Sequence, residues 1–190
     1  VRRLHAGLPP RVVLVLDEAY AEYAATPWES GLVLAKSAEN IVVTRTFSKI
    51  FGLAAARAGW GYMPAAMADA VNRIRYPFNV STPAQAAALA ALTDEGFVRA
   101  ARHHNDQWRP WLAQALTGLG LGVTLSAANF LLVHLPEEQS AAAVYRALLA
   151  RGVIVRPLTA YGLTGALRIS VGTQEGNQAL IAACREILEA

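Results

Sequence analysis

Two short apolar, β-branched runs constrain this chain more than any other feature. Residues 11–16 read RVVLVL and residues 41–45 read IVVTR. Continuous apolar runs of this length predict strands covered on both faces, as in a mainly parallel sheet of an α/β layer. Each run ends in reactive side chains. The first is followed by Asp17-Glu18-Ala19-Tyr20, and the second by Thr46-Phe47-Ser48-Lys49-Ile50-Phe51-Gly52, with Arg57 a little further on. In open α/β sheets the edge where strands end is where ligands bind.

Composition narrows what the ligand is. The chain has 190 residues, enough for one ordinary domain or two small ones. It is 54 % hydrophobic and 16 % charged, against about 25 % charged in a typical soluble domain. No apolar run reaches the ~18 residues of a membrane span, so the surplus apolar surface is expected in a core, a partner subunit or a further part of the protein. The net charge is +3 with the basic residues scattered. Nucleic-acid binding calls for a clustered basic face, so a small anion is the more economical ligand for the arginines. A lone cysteine, Cys184, excludes an internal disulfide and fits a reducing compartment. The chain opens on Val1 and is in a buried strand within about a dozen residues, which leads us to expect that the N-terminal part of a larger protein precedes it.

Along the chain, residues 28–38 predict a short helix stopped near Asn40, and 58–62 (AGWGY) a strand weakened by its glycines. Pro64 suits the first position of a helix whose apolar face is Met67, Val71 and Ile74. Pro77 makes 75–81 irregular, and the change of domain is expected there, giving domains 1–79 and 80–190. Ser81 or Thr82 caps an alanine-rich helix from Pro83. Its continuation carries Phe97, Ala101, His104, Trp108, Trp111 and Ala115 at steps of three and four, with Pro110 expected to kink or interrupt it. Strands are expected at 123–125, 130–135, 153–155 and 167–171, and helices at 140–150 and after Thr173, a small α+β domain.

Each candidate site residue has an ordinary alternative. Asp17 alone serves equally as a cap or half of a structural ion pair. Beside a protonated ring nitrogen it would keep the ring cationic, through a hydrogen bond worth roughly 1.5–3 kcal/mol. Tyr20 alone is a half-buried aromatic with a wet tip. Thr46 and Ser48 alone cap their own backbone; together with Arg57 they make an anion cradle. Lys49 alone is a surface lysine; desolvated, its amine becomes a nucleophile able to form an imine. An electron-sink partner, an imine former and a phosphate cup are what pyridoxal phosphate requires. No metal site is expected: His103 and His104 are adjacent, point to different faces and lack a third ligand.

DEAY at 17–20, TFSKIFG at 46–52 with Arg57, PFNVS at 77–81 and LRISVGT at 167–173 occur in that order. Together they resemble the pyridoxal-phosphate aminotransferases of fold type I, and within these the histidinol-phosphate aminotransferase branch, over roughly the C-terminal half of the family's chain. The resemblance implies an α/β fold: the later half of a large domain with a mainly parallel sheet, then a small α+β C-terminal domain. It implies that Lys49 bonds the cofactor and moves the proton between substrate Cα and cofactor C4′. Asp17 would pair with the pyridine nitrogen, Tyr20 would donate to the ring hydroxyl, and Thr46, Ser48 and Arg57 would hold the phosphate. Arg168 and Arg156 would bind the substrate's anionic group. Histidinol phosphate and imidazole-acetol phosphate, with glutamate and 2-oxoglutarate, are the implied substrates, and a cytoplasmic homodimer the implied form, with no nucleic-acid or membrane partner. The family's glycine turn, ring-stacking aromatic and Asn-Pro loop find no match in residues 1–16, so the chain alone is expected to bind cofactor poorly. A threonine-phosphate decarboxylase on the same scaffold, and a non-catalytic dimerisation or regulatory domain, are the alternatives.

Overall fold

The computed structural model describes residues 1–25, 27–136 and 140–189. The chain forms two compact units, Val1–Ala101 and Arg102–Ala190.

In the first unit, helix α1 (Arg2–Ala6) leads to strand β1 (Leu14–Asp17), helix α2 (Gly31–Ala35) and strand β2 (Ile41–Thr46). Strand β3 (Gly59–Tyr62) and helices α3 (Ala65–Ile74) and α4 (Thr82–Thr93) follow. The sheet order is β1-β2-β3. β1 runs parallel to β2, with Leu14 opposite Ile41 and Asp17 opposite Thr44; β3 runs antiparallel, so the sheet is mixed. β1 begins later than the apolar run suggests, because a turn at Pro9 takes the Val12 amide and the ladder starts with Leu14 N–H on Asn40 O. One face of β1 and β2 is covered: Leu14, Leu16, Ile41 and Val43 pack against Leu32, Leu34 and Ala35 around α2. Val15, on the other face, is 58 % exposed, so the expectation of cover on both faces is not met among the described residues. α2 is shorter than the predicted 28–38 helix because Ser30 caps it, accepting from Leu32 N–H. α3 starts as expected at Pro64, which is its N-cap rather than its first residue, but its apolar face is open, with Ile74 85 % exposed. A second cluster joins Phe47, Ala58, Ala84 and Ala88, flanked by Phe51 and Val80.

The alanine-rich helix and its continuation are two helices, not one. Asp94 ends α4, and its Oδ1 then accepts the Phe97 amide to start helix α5 (Glu95–Gly118). An aspartate that offers the backbone a competing partner breaks a helix its neighbours would continue. α5 runs through Pro110 without interruption and contains the boundary between the units.

The second unit continues with β4 (Gly122–Thr124), β5 (Phe130–His134), α6 (Ala141–Ala150), β6 (Arg156–Leu158), β7 (Leu163–Ser170) and α7 (Gln174–Leu188). Its sheet is antiparallel throughout, in the order β4-β5-β7-β6. One continuous core joins Leu112 and Leu116 of α5, Leu131 and Val133 of β5, Leu148 of α6, Leu167 and Ile169 of β7, and Leu180 and Cys184 of α7. The strand expected at 153–155 lies instead at 156–158. Gly152, at φ +76°, closes α6, and the Val153 amide bonds back to Leu148 O, which removes it from the ladder.

Candidate functional site

The ends of β1 and β2 lie side by side, because parallel neighbours in register finish at the same edge. Asp17, opposite Thr44, is exposed; its Oδ1 accepts the Ala19 amide at 3.1 Å, so it is not the buried acid the sequence suggests. Beyond Asp17 the chain turns so that Tyr20 meets the segment after β2: Lys49 Nζ lies 5.2 Å from the centroid of the Tyr20 ring. Lys49 is half-buried. Tyr23 packs 6.5 Å from Tyr20, centroid to centroid, and its hydroxyl is held above the usual phenol range, first by burial and then by Tyr20 and Glu22.

The hydroxyls and arginine after β2 form one hydrogen-bonded group. Thr46 Oγ1 accepts the Ser48 amide at 3.0 Å and donates to Ala58 O at 3.3 Å, the local capping role. Arg57 Nη1 donates to Ser48 Oγ at 3.4 Å and to Ala54 O at 2.7 Å. Arg57 has left-handed backbone (φ +53°), alone among the described non-glycine residues. A 3₁₀ turn, Ala54–Ala56, ends at Arg57 and brings it back toward Ser48. This donor set of hydroxyl, guanidinium and amine suits a phosphate-bearing carbonyl compound.

In the second unit Arg156 and Arg168 stand directly opposite each other on β6 and β7. Like charges so placed repel, which an anion between them would offset. Arg156 donates to the Tyr161 hydroxyl at 3.2 Å. The Arg168 guanidinium carbon lies 5.2 Å from the Phe130 ring centroid, and its Nε is buried with no acceptor among the described residues. A buried donor left unpaired costs about 1–3 kcal/mol.

Sequence reasoning missed a second polar group on the first unit's sheet. Arg45 donates through Nε (3.1 Å) and Nη2 (2.9 Å) to Glu18 Oε2 and through Nη1 to Glu22 Oε1 (3.3 Å), and lies 5.6 Å from the Trp60 ring centroid. Glu18 also accepts from the Ser30 hydroxyl and the Gly31 amide. The readable signal was opposite charge at the ends of two strands predicted to be neighbours. Among the described residues no cluster of His, Cys, Asp and Glu could hold a metal ion, and His104 instead contacts Gly172 O at 2.8 Å.

The family description "Aminotransferase class I and II" matches residues 9–183. The histidinol-phosphate aminotransferase 1 of Caulobacter vibrioides is 53 % identical over 184 residues, covering 95 % of this chain and 51 % of that protein. The structure of histidinol-phosphate aminotransferase from Sinorhizobium meliloti in complex with pyridoxal-5'-phosphate superposes with a TM-score of 0.87 at 30 % identity, over 98 % of this chain and 52 % of that one. L-threonine-O-3-phosphate decarboxylase from Porphyromonas gingivalis shares the fold alone, with a TM-score of 0.83 at 24 % identity, over 100 % of this chain and 58 % of that one. The chain spans about half the length of the curated relatives it matches. It belongs to the class I and II aminotransferases.

Proposed function

We propose that this chain carries the lysine-bearing and substrate-anion-binding parts of a pyridoxal-phosphate-dependent aminotransferase. Its substrates are histidinol phosphate and imidazole-acetol phosphate, with glutamate and 2-oxoglutarate as the second pair. Residues 1–79 form the proposed partial cofactor-binding domain and 80–190 the small domain, a boundary drawn at the start of α4, ahead of the division between the compact units at Ala101 and Arg102. The whole protein acts as a cytoplasmic homodimer. The observation that carries this reading is the approach of Lys49 to Tyr20, which brings two separate motifs to one place.

When bound, the cofactor supplies an electron-withdrawing ring that stabilises negative charge at the substrate carbon beside its nitrogen. Asp17, at the end of β1, holds a proton on the ring nitrogen. Tyr20 orients the ring through its hydroxyl. Ser48 and Arg57 bind the phosphate, while Thr46 shapes the turn that presents them. Lys49 would hold the cofactor's carbonyl carbon, and its amine would serve as the base for the proton on substrate Cα. Arg168 and Arg156 bind the substrate's anionic group, giving the buried Arg168 Nε the acceptor it lacks here.

The test uses protein of the relatives' length with this chain as its C-terminal part. Borohydride treatment of the cofactor-loaded protein should fix the cofactor's mass on the Lys49 peptide. Lys49→Ala should lower transamination by about a thousandfold or more, the scale of losing a nucleophile and base together. Normal turnover by that variant would refute the assignment, and carbon dioxide release without 2-oxoglutarate consumption would move the protein to the decarboxylases.

A further inference from the structure

Adjacent residues on a strand face opposite sides of its sheet. Leu14, Leu16, Ile41 and Val43 face α2, so Glu18 and Arg45, which continue those two series, lie on that side as well. Asp17, Thr44 and Thr46 belong to the other series and take the opposite face. The Glu18–Arg45 pair therefore sits behind the edge that carries the candidate site, across the two strands that present it.

The pair is built rather than incidental. Its side chains are 9 % and 20 % exposed. Both Glu18 oxygens are occupied, Oε1 by the Ser30 hydroxyl and the Gly31 amide, and Oε2 by Ser30 and two Arg45 nitrogens. Arg45 also binds Glu22 and Ser30, and Trp60 covers its plane. A Cβ on Gly31 would come within 2.3 Å of the Leu16 side chain and 3.2 Å of Glu18 Oε1, so glycine at 31 lets the helix start approach the carboxylate without displacing the end of Leu16. The Glu18 amide, on Thr44 O at 2.9 Å, extends the strand ladder past Asp17.

We propose that Glu18 and Arg45 are positioning residues. By clamping the ends of β1 and β2 from behind, they fix where Asp17 and Tyr20 stand relative to Thr46, Ser48 and Lys49. The clamp thereby sets cofactor affinity without either side chain touching the cofactor. This rests on the functional reading above. Arg45 must be arginine, because a lysine cannot reach Glu18 through two nitrogens, Glu22 through a third and stack on an indole at once.

The test compares Glu18→Gln, Arg45→Lys and their double variant with unsubstituted protein of the relatives' length, and with Val144→Ala as a destabilised control in the second unit's core. Cofactor dissociation constants are read by absorbance titration, and amide exchange is read without cofactor. Each single variant should weaken cofactor binding about tenfold, within the range that a small misplacement costs. The double variant should be little worse than either single. Exchange should rise at 17–20 and 46–49 while α6 and α7 stay protected. Val144→Ala should lower the melting midpoint and leave cofactor affinity unchanged. Unaltered affinity in the Glu18 and Arg45 variants would overturn the clamp, as would a weakening that Val144→Ala reproduces at equal loss of stability. Failure of the functional reading shows separately, as unsubstituted protein that retains no cofactor, and it takes the clamp with it.

Discussion

The second unit gathers its apolar side chains into one core, with three helices on an antiparallel sheet. The first divides them between two small clusters and holds its sheet edge with a half-buried ion-pair network instead. Apolar packing tolerates no unpaired charge and offers little chemistry. A sheet edge carrying an exposed acid, a half-buried amine and several hydroxyls is reactive but contributes less burial. The difference teaches where stability and reactivity lie in this chain: the candidate cofactor residues are on the unit with the sparser core.

The widest test of that contrast is a core truncation. Leu148, fully buried in α6, should cost about 2–5 kcal/mol as alanine. Chemical unfolding should show the loss, with exchange rising across α6, α7 and β7 but not at 41–46. Equal loosening of β2 would mean that the units unfold as one. Cys184 gives the next effect. Burial pushes its thiol from 9.0 up to about 11, so the folded chain keeps a proton that the unfolded chain releases. Its contribution is complete below pH 9.0 and lost as pH rises through about 11, at most roughly 2–3 kcal/mol. Stability measured across that window should fall less in Cys184→Ala; parallel curves would break the argument. Tyr23 shifts in the same direction in the first unit. The smallest effect sharpens the comparison by showing no difference. Thr173 caps α7 and Ser81 caps α4 in the same way, so alanine at either should cost about 1 kcal/mol. Unequal losses in urea midpoints would show that caps depend on the core beneath them.

Much of this was legible in advance, for local reasons. Ser81 and Thr173 announce helix starts because their side chains bond the first free amides. Gly120 and Gly152 announce ends because both take positive φ. What could not be read depended on competition between neighbours. Asp94 sits inside an unbroken helical period, and only its bond to the Phe97 amide shows that it stops one helix and starts the next. The strand after α6 slipped to 156–158 because Val153 gave its amide to the helix end. The Lys49 and Asp17 motifs were visible as letters, and the parallel register sets their strands side by side. Glu18 and Arg45 were overlooked because each lies beside a residue of more obvious chemistry, and charge at a strand end reads as surface until the partner strand is known.

The left-handed backbone at Arg57 has a cost that falls on anyone selecting for heat resistance. Glycine would relax that conformation, and it would also discard the guanidinium held against Ser48. Screens scored on melting alone would drift toward that replacement, and the sturdier descendants would lack the side chain proposed to bind phosphate.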